Sequence, residues 1–216
     1  MDEFSSARMA MIDSQLRSSG VSDRRILNAI ATLPRERFVA PHRRTVAYVD
    51  DLQPLGHEGR FLLSPSHFAR MAQLANVCET DRVLDVGAST GYTTAILSQV
   101  ARDVVGLEFD ADLVVQAVEN LRKLVIENAT VVHGRPDSVR DEIFDVVILE
   151  GAVDDRPDDL IALLGKNGRL VAPILRRGVA VVHVFVNTAD GVISTSEFDA
   201  TMPRLWNWTP EQQFVF

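Results

Sequence analysis

RVLDVGASTGYTTAIL, residues 82–97, decides the fold of this 216-residue chain. The apolar run 82–86, rich in β-branched residues and followed by Gly87, predicts a buried strand of a parallel sheet. A tight turn over 87–91 and a helix from Tyr92 complete the unit. A helix in this position points its unpaired backbone N–H groups and the positive end of its dipole at the carboxyl edge of the sheet. The sequence therefore predicts a site there for the anionic or polar end of a ligand.

Two carboxylates are predicted to face that site. Asp85 ends the strand, and Glu108 ends the next apolar run, DVVGLE, 21 residues after Gly87. A carboxylate at the end of the second strand of such a unit can accept both hydroxyls of a ribose. We therefore expect a nucleoside-containing cofactor at the carboxyl edge of a doubly wound sheet. The alternative is a strand–turn–helix unit whose glycines serve packing alone.

The glycine spacing selects among cofactors. A phosphate-binding P-loop requires Lys after its second glycine, and none follows Gly91. The dinucleotide fingerprint requires three glycines at positions that hold Gly87, Ser89 and Tyr92. The remaining pattern, an acidic residue followed by G-x-x-x-G, resembles the first motif of the S-adenosylmethionine-dependent methyltransferases, with Ser89 at the middle glycine. That resemblance implies that backbone N–H groups bind the carboxylate of the cofactor and that Asp85 binds its ammonium group.

Composition excludes several classes of function. The net charge is −8, and Lys and Arg form no dense cluster, so non-specific binding to nucleic acid is not expected. The single cysteine, Cys78, excludes an internal disulfide, and the histidines lack the spacing of metal ligands, so no metal site is predicted. The N-terminus carries Asp2 and Glu3 and no long apolar run. The sequence therefore predicts a cytoplasmic protein without a signal peptide or membrane span.

Two amphipathic helices are predicted within residues 5–33. The first, over about 5–19, carries Met9, Ile12 and Leu16 at helical spacing. Ser22 is the predicted N-cap of the second.

The segment 34–59 predicts a long irregular loop, a feature that usually carries function in a compact domain. A helix over 64–75 follows, with Ser64 at its N-cap and Pro65 in its first turn.

From Arg82 onward strands and helices alternate, which predicts a parallel sheet. The last two strands are joined by residues 187–191, which contain Asp190–Gly191 and predict a hairpin. Beyond the unit at 82–97, strands are predicted at 104–107, 130–133, 144–152, 169–173, 179–186 and 192–198, and helices at 110–125 and 157–164. The tail, with Trp206 and Trp208, is predicted to pack on this core.

Five segments resemble the protein-L-isoaspartate (D-aspartate) O-methyltransferase family between about Met11 and Pro173. They are MIDSQLRSSGVSDRRILNAIATLPRERFVAP (11–41), AYVDDLQPLG (47–56), VLDVGASTGYTTAIL (83–97), FDVVILEGA (144–152) and LLGKNGRLVAP (163–173). The resemblance implies a three-layer α/β, Rossmann-like fold with N-terminal helices and a mostly parallel seven-stranded sheet that ends in an antiparallel hairpin. We expect a single domain over 1–216, with N-terminal helices and a substrate-covering loop (1–80), a cofactor-binding core (81–200) and a C-terminal tail (201–216).

The same resemblance implies the reaction and the partners. The family methylates the carboxylate of L-isoaspartyl and D-aspartyl residues in damaged proteins, and the methyl ester then cyclises to a succinimide. S-adenosylmethionine is the implied cofactor and S-adenosylhomocysteine its product. The expected partners are damaged proteins or peptides, with no nucleic acid or membrane, and the expected state is a monomer or weak homo-oligomer.

The candidate site residues fall into two groups. The cofactor-binding candidates are Asp85, Gly87, Ala88, Ser89, Gly91, Tyr92, Glu108, Phe109, Arg135, Pro136 and Glu150. The substrate-loop candidates are His57, Arg60, Phe61 and Leu63, with Ser64 as the candidate catalytic residue.

The loop departs from the family pattern G-Q-T-I-S-x-P, because residues 59–65 read GRFLLSP. Arg60 stands at the Gln, Phe61 at the Thr and Leu63 at the Ser, which the family uses in its active site. Ser64 lies one position later, and a shift of one residue in an extended chain points its hydroxyl to the other face. A local bulge can restore the direction. Cap preferences instead favour a helix-cap role for Ser64.

Two further positions differ from what the reaction suggests. The family has G-D-G after its third strand, whereas this chain has Gly134, Arg135 and Pro136, so the backbone or Asp137 is expected to hold the adenine. Glu150 would repel a carboxylate acceptor unless it turns away or is paired.

Two alternatives to the isoaspartyl reaction stay open. The apolar loop residues Phe61, Leu62 and Leu63 suit a methyltransferase of the same fold with a different, less polar acceptor. The replaced serine and Arg135 suit a protein that binds S-adenosylmethionine without transferring its methyl group.

Overall fold

A seven-stranded sheet forms the centre of the molecule. The computed structural model describes residues 3–57 and 59–205, so the predicted packing of Trp206 and Trp208 lies outside the described residues. The strands are β1 (Gln53–Pro54), β2 (Phe61–Leu62), β3 (Arg82–Val86), β4 (Asp103–Glu108), β5 (Ala129–His133), β6 (Phe144–Leu149), β7 (Leu164–Arg176), β8 (Val179–Thr188) and β9 (Gly191–Ala200). The helices are α1 (Glu3–Met11), α2 (Arg24–Thr32), α3 (Pro65–Ala75), α4 (Tyr92–Leu97), α5 (Ala111–Lys123) and α6 (Asp158–Ile161).

The sheet has the order β5-β4-β3-β6-β7-β8-β9. Strands β3 to β7 are mutually parallel, and β8 and β9 pair antiparallel at one edge, which confirms the predicted fold class. The chain runs outward from β3 through β4 to β5 and then returns to the other side of β3 for β6. Ligands of open α/β sheets bind where the strand order reverses in this way. The carboxyl ends of β3, β4 and β6 therefore define the candidate crevice.

Helices cover both faces of the sheet, which is why its central strands are apolar throughout. Val83 on β3 packs in the cluster formed with the N-terminal helices and α4. Leu84 and Val86 pack on the opposite face, in the cluster that includes Leu160 of α6. Alternation along the strand places Asp85 on the same face as Val83, toward α4.

The N-terminal helices differ from prediction in two details. Helix α1 ends at Met11, and the chain continues as a π-helix over Ile12–Leu16. The wider turn breaks the α-helical spacing, so Met9 is 43% exposed while Ile12 and Leu16 are buried. Asp23, and not Ser22, caps α2, because its carboxylate accepts the backbone N–H of Arg25 at 2.9 Å.

The segment predicted as an irregular loop contains two 3₁₀ turns, Arg35–Arg37 and Pro41–Val46, and β1, which pairs antiparallel with β2 just beyond the segment. At the other end of the chain, α6 is shorter and β7 longer than predicted. Leu164 already pairs with Phe144 of β6, so the helix stops before it. Within residues 3–57 and 59–205, every helix is too short or too polar to cross a membrane.

Candidate functional site

The turn between β3 and α4 requires glycine at Gly91. Its φ angle is +87°, a conformation that other residues rarely adopt. A Cβ atom there would lie 3.2 Å from the Cβ of Ala117 and 3.3 Å from its Cα. Gly91 therefore has a conformational reason to be glycine and also a packing reason, because the turn rests directly on α5.

Replacement of Gly91 by alanine is expected to lower the free energy of unfolding by about 2–3 kcal/mol, from backbone strain and displacement of α5. Gly20 is a matched control, since its φ is also +87° but nothing lies within 4 Å of its Cβ position. Gly20→Ala is expected to cost about 1 kcal/mol, the strain alone. Urea denaturation measures both, and equal losses would contradict the packing role of Gly91.

Asp85 and Glu150 form a buried acidic pair at the ends of β3 and β6. Asp85 is fully buried and accepts hydrogen bonds from the hydroxyls of Thr93 at 2.8 Å and Thr94 at 2.6 Å, both through Oδ2. Burial raises the pKa of Asp85 to about 6, although the two threonine hydroxyls oppose the rise. Burial and the adjacent Asp85 carboxyl raise the pKa of Glu150 well above its usual value.

Each acid of this pair has one oxygen without a hydrogen-bond partner among the described residues, Oδ1 of Asp85 and Oε1 of Glu150. Buried polar atoms are normally satisfied, so such orphans need an explanation. A ligand that brings positive charge and hydrogen-bond donors would satisfy both oxygens and stabilise their ionised forms. The pair is therefore suited to bind a cation.

Glu108, the predicted ribose anchor, is fully buried and fully hydrogen-bonded. Its Oε2 accepts the backbone N–H of Ser89 at 2.8 Å, and its Oε1 accepts those of Phe109 at 2.9 Å and Asp110 at 3.1 Å. Arg60 completes the set, with Nη2 at 2.5 Å from Oε2 and Nε at 3.2 Å from Oε1. The loop residue Arg60 thus lies inside the crevice. It forms a bidentate pair with Glu108, the carboxylate that is predicted to bind the cofactor.

Leu205 covers the glycine turn. A Cβ atom on Gly87 would lie 2.6 Å from Cδ1 of Leu205, and one on Gly151 would lie 2.8 Å from its Cβ. Backbone hydrogen bonds with Ala152 hold the segment, and its carbonyl accepts Nη1 of Arg60 at 3.2 Å. The side chains of Leu205 and Arg60 together fill the space beside the turn.

A cavity of about 470 Å³ lies elsewhere, between the start of α1 and the end of α5. Its lining residues are Phe4, Glu36, Arg37, Phe38, Arg44, Asn120, Lys123 and Leu124.

Ser64 occupies the N-cap position of α3 but its side chain makes no cap bond, contrary to the role that cap preferences favour. Its hydroxyl lies 2.6 Å from Nδ1 of His67. Burial lowers the pKa of His67, so the ring is neutral at pH 7 and its Nδ1 can accept the hydroxyl proton. Leu63, at the position of the family serine, is buried, and its carbonyl accepts Nη2 of Arg35 at 2.5 Å.

The other predicted residues surround the crevice in different ways. His57 is hydrogen-bonded to Asp110 through Nδ1 at 2.8 Å. Phe109 lies under the guanidinium of Arg60, 5.1 Å from the ring centroid, and the exposed Arg135 approaches the same ring at 5.9 Å. Pro136 begins the 3₁₀ turn that follows.

Three predicted residues contribute to the crevice through packing or backbone. Phe61 is buried in β2, and its carbonyl accepts the Ser89 hydroxyl at 2.9 Å. Ala88 is buried in the turn, with its N–H bonded to Leu107. Tyr92 begins α4, and its ring packs against Phe38 in the core.

The sequence predicts no metal site, and the described part of the chain contains one cluster of side chains that could hold a metal ion. His57, Asp110 and Asp112 bring ligand atoms within 4.8 Å of one another. Asp110 Oδ1 already accepts the N–H groups of Asp112 and Leu113 as the cap of α5, and its Oδ2 binds His57. These contacts account for the cluster without an ion.

Residues 6–202 match the sequence model of the protein-L-isoaspartate(D-aspartate) O-methyltransferases. The chain belongs to this family. A protein-L-isoaspartate O-methyltransferase from Koribacter versatilis is 38% identical over 173 residues, which cover 79% of this chain and 78% of that protein. Another from Roseiflexus castenholzii is 36% identical over 193 residues, covering 87% and 86%.

A solved structure from Plasmodium falciparum, a putative isoaspartate methyltransferase in complex with S-adenosylhomocysteine, superposes with a TM-score of 0.78. It covers 95% of this chain and 99% of that chain at 23% identity. At this identity the similarity establishes the fold of the family and no more.

The isoaspartate methyltransferase family uses S-adenosylmethionine, and the acidic crevice can be tested against that cofactor. Its ribose hydroxyls suit Glu108, and its positive charge suits the orphan oxygens of Asp85 and Glu150. The carboxylates of the crevice therefore fit this cofactor. Arg60 already binds Glu108, and Leu205 lies against Gly87 of the turn, so both side chains must move when the cofactor binds.

Sequence reasoning missed four residues of this isoaspartate methyltransferase crevice. Thr93 and Thr94 directly follow the turn, and their place in the first turn of a helix that faces Asp85 is a usable signal. His67 lies three residues after Ser64, the spacing of one helical turn. No sequence signal indicated Leu205, because its position depends on the path of the chain beyond β9.

Proposed function

We propose that this protein is an S-adenosylmethionine-dependent protein-L-isoaspartate O-methyltransferase that acts on L-isoaspartyl residues of damaged proteins. One observation carries the proposal. The crevice at the switch point of the sheet combines a ribose-type carboxylate, Glu108, with the cation-suited pair of Asp85 and Glu150. These three carboxylates occur in a chain that matches the family over residues 6–202.

The cofactor would be held by Asp85, Glu108, Glu150 and the backbone of the turn at 87–91, and it supplies an electrophilic methyl group. The acceptor carboxylate is already ionised at neutral pH, so the protein need not remove a proton. Its task is to align the acceptor oxygen with the methyl carbon and to exclude water. The raised pKa of Glu150 favours its neutral form in the free protein. In the complex, the positive charge of the cofactor would offset the charge of its ionised form.

Ser64 is proposed to position the acceptor through its hydroxyl. Ser64→Ala is expected to raise the KM for an isoaspartyl peptide about tenfold, because one hydrogen bond to a charged group contributes about 1.5 kcal/mol. The dissociation constant of S-adenosylhomocysteine is expected to stay unchanged. The exposed Ser18, whose hydroxyl donates to the carbonyls of Ser14 and Gln15 in the preceding π-helix, provides the control Ser18→Ala. An unchanged peptide KM in Ser64→Ala would leave this hydroxyl without a role in acceptor binding.

The proposed partners are damaged proteins and peptides, with a cytoplasmic location, no nucleic acid or membrane partner, and a single domain that is monomeric or weakly oligomeric. Radiolabelled methyl transfer to an isoaspartyl peptide, beside the same peptide with a normal aspartyl residue, tests the function. Transfer to the isoaspartyl peptide alone supports it. Transfer to neither, with S-adenosylhomocysteine binding intact, would assign the protein a different acceptor.

A second candidate is a protein that has lost methyl transfer. The contact that favours it is the bidentate pair of Arg60 with Glu108, because this pair competes with the cofactor for the carboxylate. Cofactor binding in calorimetry without methyl transfer to any acceptor would support this candidate, whereas methyl transfer to any acceptor would exclude it.

A further inference from the structure

Arg60 and a ribose cannot bind Glu108 at the same time. The two carboxylate oxygens already accept three backbone N–H groups and the two donors of Arg60. The backbone donors belong to Ser89, Phe109 and Asp110 and are fixed by the fold, so Arg60 is the partner that can be exchanged. A carboxylate has about four lone-pair sites, all of them in use here, so ribose hydroxyls that bind Glu108 must displace the guanidinium.

The exchange also has to balance charge. Arg60 is fully buried and is the cation that pairs with Glu108, with side-chain exposures of 1% and 0%. Removal of one partner from a buried ion pair leaves an uncompensated charge, which is strongly unfavourable. S-adenosylmethionine carries one net positive charge through its sulfonium, ammonium and carboxylate groups. A cation thus replaces a cation, and the crevice keeps its net charge.

The displaced guanidinium has a chemical use, because the acceptor of the proposed reaction is a carboxylate. The crevice is lined by three acids, Asp85, Glu108 and Glu150, so an anionic acceptor needs a nearby cation. Arg35 also acts electrostatically on Glu150, but its Nε and Nη2 are bound to backbone carbonyls in the core. Arg60, which directly precedes β2, is not fixed in this way once Glu108 is taken.

The chain around Arg60 has room for this change of partner. Gly59 precedes it with a φ of +66°, and nothing lies within 4 Å of its Cβ position. Besides Glu108, the side chain of Arg60 hydrogen-bonds among the described residues only to Leu205 O, Gly87 O and Ser89 Oγ, at 3.2–3.4 Å. Its guanidinium also lies over the ring of Phe109. These long neutral contacts are weak compared with the bidentate pair.

We propose that Arg60 binds two carboxylates in turn, that of Glu108 before the cofactor binds and that of the acceptor afterwards. The inference rests on the proposed function and assigns Arg60 as a positioning residue. It makes cofactor binding a condition for acceptor binding, because the guanidinium is released only when Glu108 gains other donors.

The test uses Arg60→Gln in the full chain, with Arg44→Gln as the control for the same substitution at an exposed arginine. Calorimetry with S-adenosylmethionine, without a peptide, is expected to give a dissociation constant about tenfold lower for Arg60→Gln than for the wild type, since the competing ion pair is gone. The KM for an isoaspartyl peptide at saturating cofactor is expected to rise about tenfold. A merely structural defect would raise both the dissociation constant of the cofactor and the KM for the peptide. A fall in the first together with a rise in the second therefore identifies the exchange.

Arg60→Lys is the second variant, and it is expected to recover part of the peptide KM because it keeps the charge. Urea denaturation identifies any variant that fails to fold. If wild-type protein methylates the peptide and Arg60→Gln matches it in either constant, the inference is overturned and the proposed function stands. If wild-type protein neither binds S-adenosylhomocysteine nor methylates the peptide, the proposed function fails, and the inference fails with it.

Discussion

Glu108→Gln is expected to weaken S-adenosylhomocysteine binding about 100-fold. A carboxylate that accepts both ribose hydroxyls contributes about 3 kcal/mol, which corresponds to two orders of magnitude in affinity. The glutamine also introduces an NH₂ group that faces the backbone N–H of Ser89 or those of Phe109 and Asp110. One buried donor then has no acceptor, which adds to the loss.

The same substitution is expected to lower the free energy of unfolding of the free protein by about 3 kcal/mol, because Arg60 stays buried without its counter-charge. Calorimetry and urea denaturation measure the two effects separately. Glu119→Gln is the control, since Glu119 is a partly exposed residue of α5 that also forms an ion pair with an arginine, Arg122. A Glu108→Gln protein that binds S-adenosylhomocysteine as tightly as the wild type would remove Glu108 from the cofactor site.

Asp85→Asn is expected to stabilise the protein by about 3 kcal/mol at pH 8 and to have little effect at pH 4. The pKa of Asp85 is about 6 in the folded protein against 3.8 for an unperturbed aspartate. The folded state therefore binds a proton more tightly than the unfolded chain, and the free energy of unfolding falls as pH rises from about 4 to 6. The difference between the two pKa values corresponds to about 3 kcal/mol, and Glu150 adds to the trend in the same direction.

An asparagine at position 85 removes this penalty and keeps the local contacts. Its oxygen can accept the hydroxyls of Thr93 and Thr94, and its NH₂ group can donate to Glu150. Urea denaturation at both pH values measures the effect, with the exposed Asp141→Asn as control. Cofactor affinity is expected to fall, because the cation loses its carboxylate. Wild-type stability that rises between pH 4 and 6 would contradict the buried acidic pair.

The sequence was sufficient for the parts of the site that depend on local pattern. The apolar run 82–86, the glycines of the turn and the acid at Glu108 follow from strand periodicity and βα geometry, and the structure has them where they were expected. The hairpin of β8 and β9 was equally readable. These features require only neighbours in sequence or strands in the predicted order.

The contacts inside the crevice could not be derived in this way. The pair of Arg60 with Glu108 joins residues 48 positions apart, and it depends on how the chain enters the crevice just before β2. The prediction that Met9 shares a buried face with Ile12 and Leu16 was wrong, because a π-helical turn changes the spacing and the apolar pattern does not show that change. Ser64 kept its predicted place at the start of α3, but its hydroxyl chose His67 over the helix backbone.

Conversion of an isoaspartyl peptide into its aspartyl isomer tests the account most directly. The purified protein is incubated with the peptide and S-adenosylmethionine, and chromatography follows the methyl ester, the succinimide and the aspartyl product. The account predicts that the isoaspartyl peptide is consumed and that the aspartyl isomer accumulates. It also predicts that Glu108→Gln abolishes both at a cofactor concentration that just saturates the wild-type protein. An isoaspartyl peptide that persists unchanged with saturating cofactor would contradict it.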